Sequence, residues 1–239
     1  MNNTKQLNIE YFSLQSLFWM TYCMVVGFSV TYLLSCGYSN SEAGYILASA
    51  NICALILQPF FADLADHSKK INAMSIFFVS IAIIFVCSIG LFFIGIRSVL
   101  LTLIYVVMIT LANAVIAFLT SIQFLMDASK SKINFGLCRA GGSLCFAILS
   151  AAMGILIERI GMKSIPTAMF IITLLIIVLC MYITRHRIHA SQRTMNFADQ
   201  NKSSSLLVFF KDNPKFMILS IAMLFIYYAH AFITNFTIS

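Results

Sequence analysis

The chain alternates long apolar stretches with short polar ones. A helix needs about 20 apolar residues to cross a hydrocarbon core about 30 Å thick. A bilayer offers no water to unpaired backbone groups, and the stretches lack the ten-residue alternation of a membrane β-barrel, so we predict helices. Seven stretches are long enough to cross: 11–34, 42–62, 71–95, 98–126, 136–158, 165–184 and 215–237.

One connection is longer and more polar than the others. Residues 185–214 are rich in basic and polar side chains, whereas the other connections are short. We therefore predict a six-helix transmembrane bundle at 1–184, a cytoplasmic linker at 185–214, and the first helix of a second part at 215–239. Because Ser239 directly follows the seventh stretch, we expect the sequence to be truncated.

Composition supports an all-α membrane protein. Hydrophobic residues make up 61% of the 239 positions and charged residues 10%, whereas soluble domains carry about 25% charged residues. The net charge of +7 could suit nucleic acid, but the basic residues lie between apolar stretches rather than on a solvated face. We expect a lipid bilayer as the surroundings and no nucleic-acid partner.

The basic residues also predict the orientation. With a cytoplasmic N-terminus, cations fall mainly on the inside, as the positive-inside rule requires, so we expect a multi-pass protein of the cell (inner) membrane. The outside would hold only Arg97, Arg159 and Lys163. The inside would hold Lys5, Lys69, Lys70, Lys130, Lys132, Arg185, Arg187, Arg193, Lys202, Lys211 and Lys215.

No pattern typical of an enzyme occurs in the sequence. It lacks H-E-x-x-H, G-x-S-x-G and a P-loop, and its four histidines do not have metal-ligand spacing. Its seven cysteines lie mostly in apolar stretches and form no C-x-x-C pair, which favours small buried side chains. We therefore expect no catalysis, no cofactor and no metal site.

Polar and aromatic residues share helix faces in three stretches. Such faces either hydrogen-bond between helices or line a cavity, and the mixture of rings with amides and hydroxyls would suit a sugar or a nucleoside. The first stretch has Gln15, Trp19 and Tyr22, the fourth has Thr110 and Asn113 with Gln123 nearby, and the seventh has Tyr227, His230 and Thr234.

The fifth stretch combines a charge with a face of small residues. Arg139 shares a helix face with Ser143, Phe146 and Ser150. It could bind a substrate through its guanidinium group, or it could reach lipid headgroups, since it lies near the end of its helix. Small residues recur at helical spacing beside it, where another helix should pack closely: Gly136, Ala140, Ser143, Ala147, Ala151 and Gly154.

The sequence QPFFADLADHSKK at 58–70 connects the second and third apolar stretches. It resembles the loop signature of the major facilitator superfamily, with Ala62, Asp66, Lys69 and Lys70 matching in kind. The resemblance implies twelve helices in two halves, each half built from two inverted three-helix repeats, around a cavity that opens alternately to each side. It also implies that Asp66, Lys69 and Lys70 form a cytoplasmic gate.

FGLCRAGGSLCFA at 135–147 is similar to the fifth-helix motif of the oligosaccharide:proton symporter branch, which is lactose-permease-like. That similarity implies that Arg139 binds sugar hydroxyls and that Phe146 stands where a ring stacks on the sugar. Gln123 would stand at the position of a carboxylate partner for Arg139. We expect the substrate to be lined further by Trp19, Tyr22, Asn113, Tyr227 and His230.

The resemblance implies a secondary active transporter, a sugar:proton symporter that works by alternating access. No Asp or Glu lies deep in the seven stretches, so we expect the protonated group in the second half. Two alternatives stay open: a nucleoside:proton symporter of the same fold, and a non-transporting or inactive membrane remnant. Because Gln123 cannot give Arg139 a charged partner, the identity of the cargo is open as well.

Overall fold

A computed structural model describes residues 2–68, 71–127 and 133–188, and every position from 213 to 226 other than 216, 220 and 224. The chain divides into two compact units, Met1–Thr194 and Met195–Ser239. Each unit is described by itself.

The described part of the first unit consists of helices, with no β-strand. Its α-helices are α1 (Asn2–Tyr22), α2 (Ser29–Ser35), α3 (Asn40–His67), α4 (Ala73–Phe93), α5 (Val99–Ala114), α6 (Phe118–Met126), α7 (Phe135–Ile160) and α8 (Ser164–Ile183). Two π-helical segments, Cys23–Gly27 and Thr184–Ile188, follow α1 and α8.

The predicted helices of the first six apolar stretches are confirmed. Five helical stretches are long and apolar enough to cross a membrane, and α5 with α6, bent by 49° at their junction, adds a sixth if the pair is one span. The five are Thr4–Ser35, Asn40–Ala65, Ala73–Phe93, Phe135–Ile160 and Ser164–His186. The first begins earlier than residue 11, because its polar start also packs on the bundle, where Leu7 is buried.

Short polar side chains set the start of four helices. Each accepts a hydrogen bond from the backbone N–H three residues later, which satisfies a donor that has no partner within the helix. At the start of α3, Ser39 and Glu42 form a reciprocal capping box. The four capping residues are Ser39, Asn72, Ser98 and Asn134.

The core lies between α1, α4, α5 and α8. Helix α1 packs mainly against α7 and also against α8, α3 packs against α5, and α4 packs against α8 and α5. Phe85 and Phe170 stack with ring centroids 5.1 Å apart between α4 and α8. The Thr110 hydroxyl of α5 donates to the carbonyl of Ala50 in α3, 3.1 Å away. These contacts hold the helices that carry the polar faces in a fixed arrangement.

In the second unit, every described position from 214 to 226 is helical. This agrees with the predicted start of the seventh helix. Tyr227 and His230 lie outside the described residues, as do Lys69 and Lys70. Asp66 belongs to the last turn of α3, and its side chain lies outside the described part. The predicted gate and the seventh polar face therefore stay predictions.

Candidate functional site

Two helices expose much more of their surface than the others. In α3 and in α7 only 17% of the central apolar stretch is buried, compared with 44% in Thr4–Ser35. The exposed surface is partly polar, with Asn51 and Gln58 on α3 and Ser143 on α7. Polar groups at membrane depth face a water-filled cavity or the bundle interior, because exposure to hydrocarbon costs several kcal/mol. These faces are therefore the candidate for a cavity side of the first unit.

Arg139 lies on this side and rests on an aromatic ring. Its guanidinium carbon is 4.0 Å from the centroid of the Trp19 ring, a cation–π contact between α7 and α1. One terminal nitrogen donates to the Ser143 hydroxyl, 3.1 Å away. Within the described part of the chain, Arg139 has no carboxylate partner. Its remaining N–H groups are donors that suit oxygen acceptors.

A chain of hydrogen bonds fixes the Trp19 ring. The indole nitrogen donates to Gln15 Oε1 at 3.1 Å, and Gln15 Nε2 donates to the Tyr11 hydroxyl at 2.7 Å. The Tyr11 hydroxyl in turn donates to the carbonyl of Leu119 in α6, at 2.9 Å. Gln15 and Tyr11 are fully buried. The Trp19 ring under Arg139 is thus held in position by hydrogen bonds to buried residues.

Two glycines allow α7 to approach α1 closely. A Cβ atom on Gly141 would lie 2.0 Å from a ring carbon of Phe12, and one on Gly142 would lie 2.6 Å from Trp19 Cδ1. Both distances are far below van der Waals contact, so only glycine fits the interface as it stands. We expected close packing at the face of six small residues between Gly136 and Gly154. All six are instead exposed. The close contact lies at the adjacent glycine pair.

An amide cluster continues the polar surface from α1 to α3. The Tyr22 hydroxyl donates to Asn113 Oδ1 at 2.9 Å, and Asn113 Nδ2 donates to Asn51 Oδ1 at 2.9 Å. Gln58 Nε2 donates to the backbone carbonyl of Asn113 at 3.0 Å. The rings of Trp19 and Tyr22, with centroids 5.3 Å apart, connect this cluster to Arg139.

Two of the three helices that meet in the amide cluster, α1 and α5, are interrupted beside it. The π-helical segment Cys23–Gly27 begins directly after Tyr22, and α5 ends one residue after Asn113. Such interruptions free backbone groups, and they recur at functional sites and at the binding sites of transporters. At the end of α5 the Asn113 carbonyl accepts from the Ile116 N–H at 3.4 Å, and Gln58 supplies it with a second donor.

The predicted residues are partly brought together. Trp19, Tyr22, Asn113 and Arg139 form one connected surface through the contacts above. Phe146 is half-buried beside the π-helical segment, 3.9 Å from the position of a Cβ on Gly27. The ring against Arg139 is therefore that of Trp19. Gln123 is half-buried in α6 and, among the described residues, makes no hydrogen bond to Arg139.

Three residues at the site or in the span were not singled out from the sequence. Asn51 and Gln58, seven residues apart in an apolar stretch, are amides on one helix face, which is the signal that could have identified them. Glu10 is a carboxyl group only 6% exposed within the span Thr4–Ser35. It lies near the start of that span, outside the predicted stretch 11–34, because α1 begins before residue 11.

A comparison with protein families assigns this arrangement to a known group. The model of the MFS_1 like family matches residues 7–239, nearly the whole chain. No match was found among curated proteins or among solved structures. The family match agrees with the apolar helices and with a polar surface between them. The chain thus belongs to the MFS_1 like family of the major facilitator superfamily, and it is a multi-pass membrane protein of a transporter family.

Proposed function

We propose that the protein is a sugar:proton symporter that works by alternating access. Its first six spans would form two inverted three-helix repeats. The protein would lie in the inner membrane of the cell, with its N-terminus in the cytoplasm. The excess of cations in the connections assigned to the inside supports that orientation. Asp66, Lys69 and Lys70 would form the cytoplasmic gate, and Tyr227 and His230 would complete the binding surface.

The observation that carries this proposal is the position of Arg139 over the Trp19 ring beside Ser143. A pyranose has hydroxyl groups around its rim and apolar C–H faces. Guanidinium N–H groups suit the hydroxyl oxygens, and half-exposed Trp19 and Tyr22 rings suit the C–H faces. A positive charge without a carboxylate partner near it is also costly in a membrane, unless it serves binding or reaches headgroups.

A nucleoside is the second candidate, and the amide cluster favours it. Asn51 and Gln58 are exposed, and an amide offers both a donor and an acceptor, as the edge of a base requires. The ribose would then take the place of the sugar at Arg139. The same aromatic rings would stack on the base.

The test is uptake of labelled mono- and oligosaccharides by proteoliposomes that contain the protein, with an inward proton gradient. We expect accumulation that stops when a protonophore collapses the gradient, and competition by unlabelled sugars at lower concentration than by nucleosides. Stronger competition by nucleosides would select the second candidate. Uptake that is equal with and without the gradient would contradict proton coupling, and the absence of any uptake or binding would contradict both transport functions.

A further inference from the structure

A groove outside the candidate site lies between α4 and α8, at the end of the bundle where α1 begins. It has a volume of about 250 Å³ and is lined by Phe78, Met181, Thr184 and Arg185. Gln6, in the second turn of α1, donates to the hydroxyl of Tyr182 at 3.2 Å, and Tyr182 directly follows the lining residue Met181. This contact shows that the groove lies at the end of the bundle where α1 begins. Met181 is half exposed, so the groove opens on the outer surface of the bundle.

The groove has an apolar part and a cationic end. Phe78 and Met181 lie within the spans, whereas Thr184 and Arg185 lie in the π-helical segment at the end of the last span of the unit. Arg185 is exposed and, in the described part of the chain, has no carboxylate partner. Arg97, by contrast, is paired with Glu42. The rings of Tyr182 and His186, which flank Arg185 in the sequence, lie with centroids 4.7 Å apart and planes tilted by 41°, and tyrosine is typical of a membrane interface.

We propose that this groove binds an anionic phospholipid. The phosphate would lie against the Arg185 guanidinium and the Thr184 hydroxyl, and an acyl chain would lie along Met181 and Phe78. The Arg185 cation and the apolar groove beside it are complementary to a lipid with a net negative charge. A soluble phosphate would use only one end of the groove, and a zwitterionic lipid would offer Arg185 less net charge.

The test compares lipid binding by delipidated, detergent-solubilised protein in native mass spectrometry. Phosphatidylglycerol is the anionic probe, and phosphatidylcholine with the same acyl chains is the zwitterionic one. We expect about fivefold tighter binding of phosphatidylglycerol, the effect of about one cation at a membrane surface. Arg185→Gln should remove that preference, and Arg185→Lys should retain most of it. Met181→Gln should weaken the binding of both lipids.

Two controls separate this site from general surface charge. Arg159→Gln removes an exposed cation in the last turn of α7 and should leave the preference unchanged. Glycerol 3-phosphate should not displace the lipid. Equal binding of the two lipids by the wild-type protein, or equal loss with Arg159→Gln and Arg185→Gln, would overturn the proposal. Displacement by glycerol 3-phosphate would overturn the role of the acyl chain. Melting temperatures without lipid identify any variant that is misfolded.

Discussion

Two regions of the candidate site differ in how far hydrogen bonds within the protein satisfy their polar groups. In the amide cluster of Tyr22, Asn51, Gln58 and Asn113, hydrogen bonds within the protein join the side chains across α1, α3 and α5. At Arg139, five N–H donors are present, and Ser143 accepts one described hydrogen bond. The first region is largely satisfied without a ligand, and the second is not.

This difference indicates separate roles. A satisfied network fixes the positions of three helices and gains little from a new partner, because each new hydrogen bond replaces an existing one. A guanidinium group with free donors gains from a ligand and costs free energy without one. We therefore expect substitutions at Arg139 to affect binding most, and substitutions in the amide cluster to affect stability more than binding.

The largest effect is expected at Arg139. Arg139→Ala should weaken sugar binding about a hundredfold or more, because hydrogen bonds to a charged group contribute roughly 1.5–3 kcal/mol each. Arg139→Lys should lose about tenfold, since an ammonium group cannot reproduce the planar fork of donors. Equilibrium binding of labelled sugar measures both. Full binding by Arg139→Lys would favour a headgroup contact, because a lysine reaches headgroups equally well.

The next effect concerns the Trp19 ring under Arg139. Gly142→Ala would place a methyl group against Trp19, and we expect destabilisation of about 1–3 kcal/mol from overpacking. Trp19 is the single tryptophan, so its fluorescence reports the displacement directly. Gly154→Ala, on the same helix with no atom within 4 Å of the new Cβ, is the matched control; it should leave the emission unchanged and the stability equal or slightly higher, since alanine is the better helix former. Identical emission spectra and melting temperatures for the two variants would contradict the close approach of α7 to α1.

A smaller effect should distinguish the members of the amide cluster. Asn113→Ala removes the partner of both Tyr22 and Asn51, and we expect a loss of about 1–2 kcal/mol in the free energy of unfolding. Asn51→Ala removes one hydrogen bond at an exposed position and should lose about half as much. Denaturant unfolding of both variants measures the difference. If either variant loses as much sugar binding as Arg139→Ala, the amide cluster takes part in binding directly.

The smallest effect tests the anchoring of Trp19. Tyr11→Phe removes a hydroxyl that links Gln15 to the Leu119 carbonyl and should cost about 1 kcal/mol with a shift in Trp19 emission. Tyr105→Phe removes a buried hydroxyl that has no partner in the described part of the chain, so stability should be unchanged or slightly higher. A loss of stability in Tyr105→Phe equal to that in Tyr11→Phe would contradict this difference.

Much of the helical architecture follows from the sequence. Residues four apart lie on one helix face, so the contacts of Trp19 with Gln15 and of Arg139 with Ser143 could be anticipated from spacing alone. The contact between Trp19 and Arg139 could not, because 120 positions of chain separate two residues whose distance depends on how α7 meets α1. The roles of Gln123 and Phe146 stay predictions, and neither side chain is the described partner of Arg139.

The interruptions of α1 and α5 could not be predicted from the sequence either. The segment after Asn113 contains neither glycine nor proline for several residues, so local propensity predicts a continuous helix there. The bend of 49° coincides with a long-range contact, in which Gln58 of α3 donates to the Asn113 carbonyl at the end of α5. The burial of Glu10 likewise depends on the packing of the first turns of α1.

The sequence by itself determined that the chain is built of membrane-length helices, because hydrocarbon requires about 20 apolar residues per span and satisfied backbone groups throughout. It also determined which residues share a helix face, through the 3.6-residue period. Only the tertiary structure decided which faces meet: Gly141 and Gly142 leave room for the rings of Phe12 and Trp19, and this close approach places Arg139 on an indole ring. Packing between helices depends on shape across long separations in the chain, which a local pattern does not contain.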